Sequence, residues 1–212
     1  TEGRQAFINR IEITGNVRTR DKVIRREMLL VEGDVFNSLL LQQSRRNLQN
    51  LGYFEDAKMD TRRAAAEDKV DLTVDLKEKP TGAFTIGGGF SSADGLLAAA
   101  SISQANLFGL GKRLIIAGQY GQNASRFNGV YTDPHFLDTD FLVEPRLFSL
   151  QTQYQNQGFN QGGQGASLTV GHHLFERVFG TASYLYERVE INDLAPDAPL
   201  LIQLQAAQNG GV

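Results

Sequence analysis

A small α+β domain of strand-helix-helix-strand-strand order, followed by about seven antiparallel strands that open a transmembrane β-barrel, is the fold class this sequence predicts. Two observations carry that prediction. Hydrophobic periodicity changes at Lys79-Pro80: helical and strand spacings mix before it, whereas Thr81 to about Asn192 is strand spacing almost throughout. The 22 glycines also fall mostly after Gly82, dotted through strands that they would ordinarily weaken. Strands that tolerate so much glycine draw stability from elsewhere, and closure of a barrel is one source.

The elements of residues 1–79 follow in order. Phe7 to Ile13 alternates as a strand and ends at the turn pair Gly15-Asn16. Thr19 is the expected N-cap of a short helix through Met28, with Val23, Ile24 and Met28 on one side. After the turn Glu32-Gly33-Asp34, Asn37 or Ser38 caps a second helix. Leu41, Ser44, Leu48 and Leu51 recur along it at three- and four-residue steps, and Gly52 closes it. Tyr53 to Arg62 is a strand of uneven quality, and Val70 to Lys77 alternates cleanly. Two helices on one face of a three-stranded sheet make a layered α+β domain.

Residues 80–212 supply the barrel strands. The first contains Phe84, Ile86 and Phe90 on one face and ends before the turn signal Asp94-Gly95. Leu96–Asn106, Lys112–Tyr120, Phe127–Thr132, Phe141–Tyr154, Ala166–His173 and Val178–Ile191 follow as strands, several with aromatic residues near their ends, as interfacial girdles require. Residues Gln155–Gly165 form a polar loop, and Leu200–Gln208 a short helix with Pro199 before it and Gly210 beyond. Lys79-Pro80 makes the join short and stiff, because proline lacks an amide donor and fixes one dihedral.

Composition bounds the function. The net charge of −3 gives no electrostatic reason to expect nucleic acid, and the absence of cysteine excludes thiolate metal sites and suits a secreted or periplasmic protein. No apolar run is long enough for a membrane helix, but barrel strands need only about 9–11 residues each. The amino end shows no leader pattern, so the chain is expected to be mature or cut from something longer.

Enzyme signatures fail one by one. Gly109-Leu110-Gly111-Lys112 lacks the P-loop spacing, which wants glycine at Asn106 and Ser or Thr at Arg113. His172 and His173 are adjacent on a strand and point to opposite faces, so with Glu176 they make no shared metal site. No nucleophile elbow accompanies the serines. No catalytic residue, cofactor or metal is expected.

Four runs in order, Arg25-Arg26-Glu27-Met28, Glu32-Gly33, Ser44-Arg45-Arg46-Asn47-Leu48 and Leu51-Gly52-Tyr53-Phe54, resemble a POTRA domain. The likeness is greatest to the POTRA adjoining the barrel in BamA-like outer-membrane assembly factors. Phe84–Phe90, Asn106–Lys112 and Thr132-Asp133-Pro134-His135-Phe136 resemble the first barrel strands of the same family. The resemblance implies a Gram-negative outer-membrane barrel with a periplasmic POTRA domain. The function it implies is insertion of β-barrel proteins into the outer membrane, with client folding as the energy source.

Implied partners are assembly-complex lipoproteins, unfolded outer-membrane clients and outer-membrane lipid. Arg26 and Glu27 correspond to a contact with a lipoprotein subunit. Glu55, Ala57, Lys58, Met59 and Thr61 lie on the strand that forms a sheet edge in POTRA domains, open to an added client strand. Phe84, Ile86, Gly87, Gly88, Gly89 and Phe90 belong to the strand that forms one side of a lateral gate. Seven strands cannot close a barrel, for which about eight is the bacterial minimum, so a fragment of a longer protein is expected. A secretion pore of the same superfamily, or a soluble β-rich surface antigen, is the alternative.

Overall fold

The computed structural model describes residues 5–64, 68–92, 95–154, 159–175 and 178–192, with Leu201 and Leu204. The chain forms two compact units: residues 1–81 with Ala105–Gly111, and the remainder.

In the first unit β1 (Phe7–Thr14), α1 (Asp21–Glu27), α2 (Ser38–Asn50), β2 (Phe54–Arg63) and β3 (Lys69–Glu78) follow the expected order. The last strand lies in the middle, giving the sheet order β1-β3-β2, with β1 parallel and β2 antiparallel to it. Leu72, Val74 and Leu76 alternate from the central strand into a core shared with Ile24 of α1, Met28 just past its end and Leu48 of α2. Ile8 and Ile11 also reach this core despite their odd spacing, because the register of β1 slips between Ile8 and Arg10. Burying such side chains supplies roughly 1.5–3 kcal/mol each, the main support of so small a domain.

The helix caps hold two agreements and one correction. Asn37 caps α2, its Oδ1 accepting from the amides of Leu39 (2.9 Å) and Leu40 (3.4 Å). Gly52 takes φ 73° and its amide reaches the Gln49 carbonyl, closing the helix. Thr19, expected to cap α1, does not. The helix begins at Asp21 with Arg20 at the cap position and no side-chain cap bond. The Thr19 hydroxyl is buried and engaged elsewhere, as described below.

The second unit is a seven-stranded antiparallel sheet of β4 (Gly82–Ser91), β5 (Gly95–Leu107), β6 (Lys112–Gly121), β7 (Ala124–Thr132), β8 (Phe141–Tyr154), β9 (Phe159–Phe175) and β10 (Val178–Asn192), each paired with its sequence neighbour. Register sorts its faces. Phe84 opposes Ile102, Phe90 opposes Leu96, Leu114 opposes Tyr131 and Leu168 opposes Tyr184, all on apolar-rich faces. The alternate positions pair Thr85 with Ser101, Gln119 with Arg126 and Glu144 with Thr169. The apolar face is open: Phe84 is 65% exposed, Ile86 72% and Phe90 79%. A water-soluble sheet does not leave such a face uncovered, whereas lipid covers the outside of a barrel.

β9 corrects the expectation of a polar loop over Gln155–Gly165. Residues 155–158 lie outside the described set, but the ladder runs from Phe159 onward, pairing Asn160 with both Gln153 and Asn192. Polar residues on both faces erase the alternation that marks a half-buried strand, so periodicity fails where strands continue with neither face apolar. β7 likewise starts at Ala124 rather than Phe127. Asp94 and most of the helix expected over Leu200–Gln208 lie outside the described residues.

Candidate functional site

Backbone edges are the candidate docking features of both units. An unpaired strand edge presents a row of amide donors and carbonyl acceptors that templates another strand. In the small sheet the two edges differ. Beside β1, the Ile8 amide donates to Asp34, the Gly33 amide to Ile8 and the Phe36 amide to Ala6, each at 2.8 Å. The Ile11 amide is taken by the Glu32 carboxylate at 3.0 Å. The segment after α1 thus covers β1, and no segment among the described residues covers the β2 edge.

The five positions expected to dock a client strand all lie on β2. Glu55, Lys58 and Thr61 are exposed, Met59 is half-buried, and Ala57 is buried in the core. The first part of this edge is blunted. Register slips between Phe54 and Asp56, the Ala57 amide is held by the Asp56 carboxylate at 2.8 Å, and Lys77 pairs with Glu55 at 2.8 Å. The part from Lys58 to Arg63 runs regularly against β3.

In the large sheet β4 pairs only with β5 among the described strands. Phe84, Ile86, Gly88 and Phe90 share one face, with Gly87 and Gly89 on the other. None of the three adjacent glycines has positive φ. A Cβ at Gly87 would meet nothing within 4 Å, one at Gly88 would lie 3.5 Å from the Leu97 carbonyl oxygen, and one at Gly89 3.8 Å from Leu97 Cδ1. Neither backbone conformation nor crowding requires glycine here. What remains is its effect on stiffness, a weakening of roughly 0.5–1 kcal/mol per position relative to alanine.

Arg26 and Glu27 sit side by side at the end of α1, each half-exposed. Partial desolvation holds the Glu27 carboxyl above its ordinary range. Because its folded pKa is raised, this group costs stability above that pKa, and the cost disappears below the unfolded value. Glu27→Gln is therefore expected to raise the unfolding midpoint slightly at pH 7 and to leave it unchanged near pH 4, measured by thermal melts at both pH values.

A third group was not read as functional from the sequence: the turn from Asn106 to Gly111. Asn106 (φ 56°), Phe108 (55°), Gly109 (70°) and Gly111 (73°) all take left-handed conformations. Asn106 is buried, its Oδ1 accepting from the Gly111 amide at 2.9 Å and its Nδ2 donating to the Thr19 hydroxyl at 2.8 Å. The Arg20 amide donates to the Gly109 carbonyl at 2.9 Å, and a Cβ at Gly109 would overlap the Arg18 carbonyl. Glu78 completes the network, its two oxygens accepting from the amides of Arg18 (3.0 Å) and Thr19 (2.7 Å). Desolvation pushes the Glu78 carboxyl up, but the Thr19 and Arg18 hydrogen bonds outweigh it and hold the group below the ordinary carboxylate range. A depressed folded pKa contributes stability above the unfolded pKa and loses it as pH falls through the folded value. Glu78→Gln is expected to flatten the acid limb of the stability curve from about pH 5 downward, checked by urea melts across that range. The signal available in the sequence was the density of Gly and Asn in Asn106–Gly111, which marks left-handed turns but names no partner.

Comparison with known proteins agrees with the two-part fold. The POTRA family model, described as a surface antigen variable number repeat, matches residues 6–79, and the Omp85 superfamily domain matches residues 106–209. The outer membrane protein assembly factor BamA of Neisseria meningitidis is 37% identical over 135 residues, covering 63% of this chain and 17% of the relative. The protein of the same name from Neorickettsia risticii is 30% identical over 203 residues, covering 94% of this chain and 27% of the relative. The chain thus spans at most about a quarter of the length of these relatives. Among solved structures, BamA from Haemophilus ducreyi lacking POTRA domains 1–3 superposes with a TM-score of 0.76 at 26% identity, over 89% of this chain and 36% of that one.

Proposed function

Because this chain belongs to the Omp85 superfamily, a POTRA domain leading into barrel strands, we propose that it is the part of an outer-membrane assembly factor that carries client strands from docking to insertion. The POTRA domain is periplasmic and the barrel lies in the outer membrane. The observation that carries the reading is the Gly87-Gly88-Gly89 run of β4, which has room for side chains and lacks them. Such a strand parts readily from a neighbour and offers its backbone groups to an incoming strand. The opposite polar face suits a wetted interior, and the apolar face suits lipid.

Docking is assigned to β2 at Lys58, Met59 and Thr61, with Glu55 and Ala57 at its blunted start. Strand addition supplies main-chain hydrogen bonds with little sequence selectivity, which a factor serving many clients needs. Folding of the client drives the reaction, with no cofactor. Arg26 and Glu27 are assigned to a lipoprotein subunit of the assembly complex. A carboxylate kept at a stability cost is expected at a contact rather than on an idle surface.

A photo-crosslinking residue at Thr61 in the full-length protein is expected to capture an unfolded barrel client, while one at Glu12 of the covered β1 edge captures little. Equal capture at both positions, or at neither, overturns docking on β2. Passage of one secreted substrate with no client assembled would overturn the assembly reading and identify a secretion pore.

A further inference from the structure

We propose that the outward face of β8, β9 and β10 carries, at its far end, a cleft that binds the sugar headgroup of an outer-leaflet glycolipid. The three strands have 14, 17 and 15 residues, whereas about 9–11 suffice to cross a bilayer. They therefore overrun the hydrocarbon. β4 follows directly on the periplasmic domain, and every strand of the sheet runs against its neighbour. β8 and β10 thus end, and β9 begins, on the outer side of the membrane.

Pairing register shows where the apolar band stops. Leu147, Ala166 and Tyr186 form its last row, since Ala166 pairs with both of the others. Two residues further out on the same face, the next row is Ser149, Gln164 and Arg188. Beyond it comes the row of Gln151, Gly162 and Glu190. Neither of these two rows contains an apolar side chain.

Gly162 is the centre of the site. It does not take a positive φ, and a Cβ there would come no nearer than 3.9 Å to another atom. Neither conformation nor crowding demands glycine. Between Gln151 and Glu190 the missing side chain gives the floor of a cleft of about 230 Å³, with room for one sugar ring.

The groups around that floor fit a neutral polyol. The amides of Gln151 and Gln164 and the Ser149 hydroxyl both donate and accept hydrogen bonds, as sugar hydroxyls do. The charged residues of the lining, Arg188 and Glu190, pair at 2.9 Å, so the cleft holds no net charge to draw a free anion. Ser149, Gln164 and Arg188 also border a second cavity, whose other walls include Phe127, Leu147 and Tyr186. A polar cleft continuous with an apolar one, at the edge of the hydrocarbon, matches a ligand with a sugar head and an acyl body. An unlinked oligosaccharide would leave the apolar part unfilled.

This rests on the membrane reading of the sheet's apolar face and is independent of client assembly. Full-length protein in detergent micelles is offered rough-type lipopolysaccharide, the core oligosaccharide cut from it, or phosphatidylglycerol, and bound ligand is measured by native mass spectrometry. Lipopolysaccharide is expected to bind about ten-fold more tightly than phosphatidylglycerol, the worth of one or two hydrogen bonds. Gly162→Gln, which fills the floor of the cleft, is expected to abolish that preference. Gly118→Leu, on the same face of β6 and with nothing within 4 Å of its Cβ, is expected to keep it. Gln151→Ala with Gln164→Ala should weaken lipopolysaccharide binding several-fold, while heat-modifiable mobility shows the barrel still folded. An unchanged preference in Gly162→Gln, or equal binding of lipopolysaccharide and phosphatidylglycerol by the parent, overturns the site. Equal affinity for the free oligosaccharide overturns its assignment to a glycolipid. Binding of neither lipid overturns the membrane reading, and the site with it.

Discussion

Replacing Gly87, Gly88 and Gly89 together with valine is expected to slow assembly of client barrels by the full-length protein about ten- to a hundred-fold. Each glycine weakens a strand by roughly 0.5–1 kcal/mol relative to alanine, so the three together hold β4 about 1.5–3 kcal/mol looser. Valine removes that looseness and adds the preference of a β-branched side chain for extended backbone. If parting of the β4 edge limits the reaction, each 1.4 kcal/mol or so is one factor of ten in rate. The substituted strand keeps its place, because every added Cβ lies 3.5 Å or more from its nearest neighbour. Electrophoretic mobility with and without heating is therefore expected to show a folded barrel while client incorporation into vesicles falls. The alanine triplet, which restores backbone stiffness with the smallest side chain, should lie between. Wild-type rates in both variants, with the fold intact, would end the proposal that glycine serves to loosen this edge.

Asn106→Ala has the largest expected effect on stability. The substitution removes an acceptor for the Gly111 amide and a donor to the Thr19 hydroxyl, both at a buried side chain. A buried polar group left without its partner costs about 1–3 kcal/mol. It also places alanine at φ 56°, where asparagine is one of the few tolerated side chains. Together these predict a loss of about 2–4 kcal/mol, most of the reserve of a marginal domain. Asn106→Gly relieves the backbone and loses only the hydrogen bonds, so it should fall between alanine and wild type. Hydrogen exchange supplies the local readout: the amides of Gly111 and Arg20 should lose protection in the alanine variant before those of Leu72 and Val74 in the core. Unchanged exchange at Gly111 would show that the turn does not depend on Asn106.

Local spacing explains why so much of the fold was legible. Leu72, Val74 and Leu76 alternate because β3 is the central strand with one face on the core. Ser44 and Leu48 are one helical turn apart because α2 lays one stripe on that core, and Ser44 reaches the Leu29 amide at 2.8 Å. Gly52 and Asn37 bound α2 through requirements that a single residue type meets. The seven strands of the large sheet pair each with its neighbour, so their order in the chain is their order in space.

Features that depend on distant partners, or on strands with neither face apolar, leave no mark in local spacing. Thr19 has the chemistry of a helix cap, and only the approach of Asn106 and Glu78 diverts it. The start of β9 was missed because polar residues on both faces leave no period to read. The candidate edges show the same division. Sequence resemblance pointed to β2, but nothing local says that β1 is covered. That follows from Gly33, Asp34 and Phe36 returning beside it.

The element types, the strand order of the barrel portion and the glycine run in its first strand are legible in one dimension, because they rest on period and on single-residue conformational preference. Tertiary contacts alone set which edge of the small sheet is covered, the unused space at Gly87–Gly89, and the network joining buried Thr19 and Asn106 to the half-exposed Glu78. Those facts depend on groups far apart in the chain meeting in space, and a one-dimensional pattern carries no record of such meetings.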